Sequence, residues 1–314
     1  MNVRDVLPRD AIQSIDAPEF GSSYFGDGDD EVIVVEGAPA RAYPIRVLSY
    51  HEIVNDAIES RPIAVTWCPI CWSSVVYDRR VDGRPLTFGV SGKLADDALV
   101  MYDRETETEW KQPTGEAISG LLDGENLDTL AAGVTTWNAF RERYPDGVVL
   151  QPPTPMDTAA ARDRYDMAPY TEYADRSAFG LHGMRGEGDP RLWDREDIDA
   201  KTVVFGFEAS EAAVGYPLPS VRAAGGVVTD TVGGRDIVVV ATEETVGAFE
   251  NPGFEFAVDN GELRGDGTTW DPVTGKSGDG RRLTPVAGRR LFAFAWQDAH
   301  GPDAFYASAA SSTS

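Results

Sequence analysis

The two cysteines of this chain are the residues whose type and spacing most clearly suggest chemistry. Cys68 and Cys71 are separated by two residues in the run Trp67-Cys68-Pro69-Ile70-Cys71, and His51, one of only three histidines, lies upstream. Two thiols at this spacing can bind one soft metal ion or close a small disulfide ring. The sequence leaves both chemistries open.

A metal site is the first interpretation. Cys68 and Cys71 supply two sulfur ligands, but a structural zinc or iron–sulfur site needs four, and the chain has no second cysteine pair. His51 and either the thioether of Met101 or the carboxylate of Asp56 would have to complete the set. Thiolate, imidazole and thioether ligands favour copper, so we rank copper ahead of zinc. We expect no organic cofactor.

Asn55 and Asp56 follow His51 closely and are candidates for a second shell of hydrogen bonds that orients the imidazole. The alternative for these two side chains is ordinary hydrogen bonding at the end of a strand. An aspartate at the matching position of a later repeat, Asp230, favours that alternative.

Thiol–disulfide exchange is the second interpretation. A strand that ends in Trp-Cys-Pro-Ile-Cys superficially resembles the thioredoxin active site, where a helix N-terminus acidifies the first thiol. Here residues 73–77 follow, and their composition predicts a strand. The third interpretation is a metal-free binding or structural module in which both cysteines are small core residues. Whether the chain is an enzyme is left undecided.

Composition bounds the remaining possibilities. The 314 residues include 28 basic and 52 acidic side chains, a net charge of −24, with 42% hydrophobic residues. Such a charge repels phosphate backbones and anionic lipid, so we expect no nucleic-acid partner and no membrane insertion. We interpret the acidity as a hydrated surface suited to a salty, halophile-like cytoplasm. The sequence identifies neither a small-molecule partner nor a protein partner.

Short segments of the first half recur in the same order in the second half. The matching pairs are 42–44 with 215–217, 53–56 with 227–230, 61–65 with 235–240, and 109–115 with 269–275. We interpret them as a degenerate duplication. The predicted units are a domain over residues 12–150, an irregular connector over 151–187 whose tyrosines pack against the domains, and a second copy over 188–308.

The second copy lacks the candidate site. Where the first copy has Cys68 and Cys71, the second has residues 241–245, Ala-Thr-Glu-Glu-Thr, and where the first has His51 the second has the stretch 223–226. A scaffold residue would tend to persist in both copies, whereas a site is needed once. The first copy is therefore the predicted functional half.

The predicted fold is mainly β with few short helices, in two related β domains packed together. Turns are predicted at 59–60, 82–83, 233–234 and 260–261, the second of them between strands at 75–79 and 86–90. Helices are predicted over 44–50 and 136–143. No run approaches the roughly 20 apolar residues of a membrane span, so we expect a soluble, cytoplasmic protein.

The residues around the cysteines resemble a family of bacterial and archaeal proteins that is known as domain of unknown function 3179. The resemblance is close over residues 12–150 and loose beyond them, and it is carried by the segments 15–16, 40–44, 51–56, 68–71, 88–92, 101–106, 110–112 and 115–118. It implies no particular activity. Trp72 departs from the family pattern, which favours a smaller residue there, and this would narrow access to Cys71.

Overall fold

The structure is a computed structural model that describes residues 1–153, 164–167 and 169–307. Parts of the predicted connector, residues 154–163 and 168, lie outside the described residues, as does residue 308 of the predicted second copy. The described chain is mainly β with short helices, which confirms the predicted fold class.

The strands of the first half lie upstream of residue 151. In chain order they are β1 (Val3–Asp5), β2 (Phe20–Gly21), β3 (Glu31–Val35), β4 (Arg41–Pro44), β5 (Ile53–Ile58), β6 (Arg61–Cys68), β7 (Ser73–Asp78), β8 (Arg80–Val81), β9 (Arg84–Pro85), β10 (Phe88–Ala95), β11 (Ala98–Asp103), β12 (Glu109–Lys111), β13 (Glu116–Ser119), β14 (Thr129–Leu130), β15 (Gly133–Thr136) and β16 (Val148–Leu150).

The strands of the second half follow the connector. They are β17 (Val203–Ala209), β18 (Ala212–Pro217), β19 (Val227–Val232), β20 (Arg235–Ala241), β21 (Thr245–Glu250), β22 (Phe256–Asp259), β23 (Glu262–Gly265), β24 (Thr268–Trp270) and β25 (Arg289–Phe292).

The helices of the described residues are short. They are α1 (Ile45–His51), α2 (Trp137–Arg143), α3 (Thr171–Asp175), α4 (Gly180–Arg185), α5 (Leu218–Ala223) and α6 (Ala293–His300). In the part of the chain that the structure describes, no helix has the length and apolar content needed to cross a bilayer. The connector, expected to be irregular, contains α3 and α4.

Strands from both halves share the two largest sheets. One sheet has the order β18-β17-β25-β7-β6-β5, with β14 also paired to β7, and the other has the order β19-β20-β21-β15-β3-β4-β16-β2. In each of these sheets, three strands of the second half lie side by side, and the innermost of them pairs with a strand of the first half. The division into two domains remains a sequence prediction, and both halves contribute to each of these sheets.

Several local predictions are confirmed by the backbone. The β5–β6 turn has positive φ at Glu59 and Ser60, and the β19–β20 turn has positive φ at Gly233 and Gly234, as tight hairpins require. The turn predicted at residues 82–83 forms, but the prediction that the strands at 75–79 and 86–90 pair with each other is wrong. That turn joins only β8 to β9, while β7 pairs with β6 and β10 pairs with β11.

The two predicted helices also form, for local reasons. Proline at the N-cap of α1 has a φ of −65°, which suits a helix start. The hydroxyl of Thr136 caps α2 by accepting a hydrogen bond from the backbone N–H of Ala139. Trp137 stacks on Phe140, as the helical spacing of these aromatic residues predicts.

The cysteines lie in the largest apolar core. This core is formed by side chains from β6, β7, β10, β11, the connector and β25, and it also contains Met101 and Trp110. The connector packs against it through Tyr173, while Tyr165 is buried in a second core beneath β3 and β5. The prediction that connector tyrosines pack against the β structure is therefore confirmed for both residues.

Candidate functional site

The hairpin loop between β6 and β7 carries both cysteines. Cys68 is the last residue of β6 and pairs with Ser73, so residues 69–72 form the loop. Trp72 has a φ of 54°, which is uncommon for a bulky side chain. The loop thus has a demanding backbone conformation, which its surroundings must hold in place.

Contacts from distant parts of the chain hold this loop. The hydroxyl of Tyr173 donates a hydrogen bond of 2.7 Å to the carbonyl of Ile70, and the backbone N–H of Phe292 donates one of 2.8 Å to the carbonyl of Cys71. Trp72 stacks on the ring of Phe292 with a centroid distance of 5.4 Å. The connector and the second half therefore both fix the position of the two thiols.

The two thiols differ in their hydrogen bonds. The Cys68 sulfur accepts hydrogen bonds of 3.4 Å from the backbone N–H groups of Cys71 and Leu99. Burial opposes ionisation of the Cys68 thiol. The two backbone hydrogen bonds outweigh this effect together with a third from the backbone of Ile70 and a fourth from the Cys71 thiol, so the pKa of Cys68 lies below its usual value. Burial and the adjacent Cys68 sulfur raise the pKa of Cys71 well above its usual value.

A buried carboxyl group faces Cys68. Glu52 ends α1 with a φ of 58°, and its side chain is only 6% exposed. Its Oε2 atom has no hydrogen-bond partner among the described residues. Burial first, and then the charge of Cys68, raise the pKa of Glu52 to about 8, against a lowering influence of Arg185. A strained, unpaired acid beside a thiol is typical of a functional site.

Glu52 and Cys68 line one cavity of about 40 Å³. The remaining wall is mostly apolar and comes from the N-terminal segment, β10, β11 and the connector. Its members are Val6, Leu7, Ile12, Pro69, Ile70, Val90, Gly92, Lys93, Leu94, Leu99, Tyr170, Leu181, Met184 and Arg185. The volume accommodates a few water molecules, since one water needs roughly 10–15 Å³ by this kind of measure.

His51 has other partners than the cysteines. Its Nδ1 donates a 2.7 Å hydrogen bond to the carbonyl of Gln13, so its Nε2, 2.8 Å from the Tyr165 hydroxyl, accepts. Burial lowers the pKa of His51. Within the described ranges, no group of three or more His, Cys, Asp or Glu side chains is placed to hold a metal ion. The structure therefore brings Cys68 and Cys71 together without the imidazole.

The other predicted site residues have hydrogen-bond or packing partners of their own. Asn55 bonds the carbonyl of Phe88 at 2.8 Å and the backbone N–H of the same residue at 2.9 Å, which links β5 to β10. Asp56 accepts hydrogen bonds from Arg41 and Tyr43. The hydrogen bonds of the imidazole go to Gln13 and Tyr165, so the second-shell role of Asn55 and Asp56 stays a prediction. Met101 is fully buried in the core that contains both cysteines.

Sequence reasoning missed Glu52 and the connector residues that line the cavity. Glu52 precedes a strand whose first residues, Ile53 and Val54, are buried, and a charged residue at such a position is a usable signal. The connector gave none, because Tyr170 and Met184 reach the cavity only through long-range packing.

The second half repeats the order of elements found in this region. We call residues 42–73, which run through β4, α1, β5 and β6, the first corner, and residues 215–245, which run through β18, α5, β19 and β20, the second corner. In the first corner, Trp67 N–H donates to the carbonyl of Glu52 at 2.8 Å, and in the second, Ala241 N–H donates to the carbonyl of Gly226 at 2.9 Å. Glu52 and Gly226 both have positive φ, 58° and 83°. By the same strand register, Thr242 takes the place of Cys68.

A family model described as a protein of unknown function, DUF3179, matches residues 9–304. The chain belongs to the DUF3179 family. The match spans nearly all of this DUF3179 chain, including both corners and the connector, so the resemblance noted from the first 150 residues extends to the second half. No curated protein and no solved structure matches the chain.

Proposed function

We propose that this DUF3179 protein is a redox-active dithiol protein in which Cys68 is the attacking thiol and Cys71 the resolving one. The observation that carries the proposal is the asymmetry of the pair. Both thiols are buried, but the Cys68 sulfur accepts hydrogen bonds from the backbone N–H groups of Cys71 and Leu99 and Cys68 borders the cavity, whereas Cys71 does not line it. Such an arrangement favours a thiolate at one sulfur and a protonated thiol at the other.

The chemistry uses both sulfurs in turn. The Cys68 thiolate attacks one atom of a weak S–S or O–O bond in an oxidant, and the second atom leaves with the bonding electron pair and gains a proton. The Cys71 sulfur then displaces the group now attached to Cys68 and forms the protein disulfide, while its own proton passes to the released group. The oxidant gains two electrons, which a dithiol reductant restores to the protein.

Glu52 is suited to move protons in this cycle. Its carboxyl group shares the cavity with Cys68, and because its pKa is raised to about 8 it is largely protonated at neutral pH. It can therefore donate a proton to a leaving group and take one back when the dithiol is restored. The proposal includes the predicted cytoplasmic location, where reductants keep thiols available for such a cycle.

A redox titration tests this proposal. The intact chain is equilibrated in glutathione or dithiothreitol buffers of graded potential, alkylated, and analysed for the Cys68–Cys71 disulfide by mass spectrometry. We expect a reversible two-electron transition, and Trp67 beside the loop and Trp72 within it should report it as a fluorescence change. The Cys71→Ser variant should instead accumulate a mixed disulfide at Cys68. A dithiol that remains reduced in every buffer would contradict the proposal.

The metal site predicted from the sequence is the second candidate. One observation favours it: the two thiols are hydrogen-bonded to each other, and the thioether of Met184 lines the same cavity as Cys68. A soft monovalent ion such as Cu(I) accepts few sulfur ligands, so this candidate needs neither His51 nor Met101. Within this second candidate, copper is therefore a better match to the site than zinc, because zinc prefers four ligands.

Metal analysis separates the two candidates. The protein is purified in reductant, supplied with Cu(I) or Zn(II) under anaerobic conditions, desalted and analysed for metal. One equivalent of copper that is lost in both Cys68→Ser and Cys71→Ser, and retained in His51→Ala, would favour the metal site. Protein free of both metals, together with a reversible disulfide, would favour the redox dithiol.

A further inference from the structure

The cavity beside Cys68 limits the size of the oxidant. Its volume is about 40 Å³, and Cys68 is only 1% exposed. A molecule with two adjacent oxygen atoms fits a space that holds a few water molecules, whereas a peptide disulfide reaches the sulfur only when the cavity wall moves aside and therefore reacts more slowly. We infer that the substrate that oxidises Cys68 is a small hydroperoxide, with Glu52 as the proton donor to its leaving oxygen. This inference rests on the proposed redox function.

The placement of the reacting groups fits an O–O bond. The Cys68 sulfur and the Glu52 carboxyl group both border the cavity, and Glu52 Oε2 has no other hydrogen-bond partner in the described part of the chain. The backbone N–H groups of Cys71 and Leu99 fix the sulfur from the side of the protein. A peroxide in the cavity therefore has the nucleophile and the acid in the same wall, with Lys93, Tyr170 and Arg185 as the other polar lining residues.

The first step transfers two electrons from the Cys68 thiolate to the hydroperoxide and needs no further reactant. The thiolate electron pair of Cys68 forms an S–O bond with the nearer oxygen, the O–O bond breaks, and the farther oxygen leaves with the electron pair. Glu52 supplies the proton that makes this leaving group water or an alcohol. The products are a sulfenic acid at Cys68 and a carboxylate at Glu52.

The second step restores the proton. The Cys71 sulfur attacks the Cys68 sulfur, the S–S bond forms, and the S–O bond breaks to release hydroxide. The proton of the Cys71 thiol neutralises this hydroxide to water. Glu52 regains its own proton from solvent, so one turnover consumes one hydroperoxide and leaves the Cys68–Cys71 disulfide.

The connector side of the cavity wall explains why larger oxidants should react more slowly. Tyr170, Leu181 and Met184 of the connector line it, and the connector is held to the cysteine loop by the hydrogen bond from Tyr173 to Ile70. Gly180 N–H in turn donates a 3.1 Å hydrogen bond to the Tyr173 hydroxyl, which ties the start of α4 to the same point. Most of the wall is apolar, which suits a neutral hydroperoxide better than an ion.

Stopped-flow tryptophan fluorescence with hydrogen peroxide, and in parallel with the disulfide cystamine, tests the inference. For the wild-type chain we expect oxidation by peroxide at least about 100-fold faster than that of free cysteine, since general acid catalysis typically contributes about 10²–10⁴-fold. Glu52→Gln should remove most of this gain. Cys71→Ser should accumulate a sulfenic acid at Cys68 that dimedone traps. Thr242→Val in the second corner is the matched control and should leave the rate unchanged.

The wild-type protein gives a second readout that does not depend on the folding of a variant. Its peroxide rate, corrected for the thiolate fraction, should fall as pH rises through about 8, where Glu52 loses its proton. A disulfide that forms with cystamine while peroxide reacts no faster than with free cysteine would overturn the inference and leave the redox function standing. No oxidation by either reagent would overturn both.

Discussion

The first and second corners share an order of elements and several hydrogen bonds, and they differ in the residues that can do chemistry. In both, a tyrosine hydroxyl donates to an aspartate on the next strand, Tyr43 to Asp56 at 2.6 Å and Tyr216 to Asp230 at 2.7 Å. Where the backbone turns with positive φ, the second corner has glycine, the residue suited to that conformation, and the first has Glu52.

This difference implies that the first corner is less stable than the second at the positive-φ position. A non-glycine residue at positive φ costs of order 1–3 kcal/mol, and an unpaired buried polar group costs about 1–3 kcal/mol more. The second corner avoids both costs with Gly226, and it has Thr242 in place of Cys68. The first corner has both of these costs at Glu52, beside the cysteine pair. Such a loss of stability is expected where a strained acid serves a functional site.

The cavities of the two corners also differ in volume. A cavity of about 500 Å³ borders Gly226 and Thr242, against about 40 Å³ beside Glu52 and Cys68. The connector and the N-terminal segment account for the difference, because both line the first cavity. We propose that the second corner is a degenerate copy that retains the scaffold, as the sequence repeats predict, and that the first corner is the functional one.

The largest effect is expected from exchanging the sulfur for oxygen in the first corner. Cys68→Ser should abolish disulfide formation, because serine is neither oxidised nor nucleophilic under these conditions. Thr242→Ser makes the same kind of hydroxyl at the matching position of the second corner and should change nothing. Mass spectrometry after treatment with hydrogen peroxide measures both, and oxidation of Cys71 in the Cys68→Ser chain at the wild-type rate would contradict the assignment.

A pH dependence of stability should belong to the first corner alone. The pKa of Glu52 is raised from 4.5 to about 8 in the folded chain, so folding favours its protonated form. This contribution is fully present below pH 4.5 and is lost progressively as pH rises to about 8, at up to about 1.4 kcal/mol per pH unit.

Urea unfolding of wild type and Glu52→Gln between pH 5 and pH 8 measures this difference, because all other titrating groups are shared. We expect the wild type to lose a few kcal/mol relative to the variant over this range. The same comparison with Thr242→Ser should be flat. A wild type that gains stability relative to Glu52→Gln as pH rises would show that the carboxyl group is paired when ionised.

The shared tyrosine–aspartate bond should be stronger in the first corner. Tyr43 is fully buried and its acceptor Asp56 is 8% exposed, whereas Asp230 is more accessible. Tyr43→Phe should therefore cost about 2 kcal/mol of unfolding free energy and Tyr216→Phe about 1 kcal/mol, because hydrogen bonds to buried charges are the stronger ones. Urea denaturation measures both, and the reverse order would count against the burial argument.

The smallest effect is expected from exchanging the residues at the positive-φ positions. Glu52→Gly should raise stability by about 1 kcal/mol, because relief of strain and removal of the unpaired acid exceed the cost of the cavity left behind. Gly226→Ala should lower it by about 1 kcal/mol, since its new Cβ would lie 3.3 Å from Val258 at a φ of +83°. Thermal unfolding of the pair of variants checks the opposite signs.

Much of the local structure could be predicted from the sequence. The turns at 59–60, 233–234 and 260–261 follow from residue types between alternating strands, and the helix starts follow from Pro44 and Thr136. The pairing of β25 with β7 and of β21 with β15 could not be predicted, because such contacts depend on long-range packing and leave no local pattern.

The candidate site was predictable in part for the same reason. The spacing of Cys68 and Cys71 identified the thiols, and the structure places them together. The partner of His51 was not predictable, because its Nε2 is bonded to a tyrosine 114 residues away. Glu52 was overlooked, because the sequence does not show that its carboxyl group is buried without a partner among the described residues.

The central claim is that the two thiols are unequal and that Cys68 is the nucleophile. Treatment of the Cys71→Ser and Cys68→Ser chains with hydrogen peroxide at pH 7, followed by unfolding in dimedone and peptide mass mapping, measures this directly. Modification at Cys68 with Cys71 untouched is the predicted result, because hydrogen bonds lower the pKa of Cys68 while burial raises that of Cys71. Preferential modification of Cys71, or two thiols that peroxide oxidises only after unfolding in urea, would contradict the account.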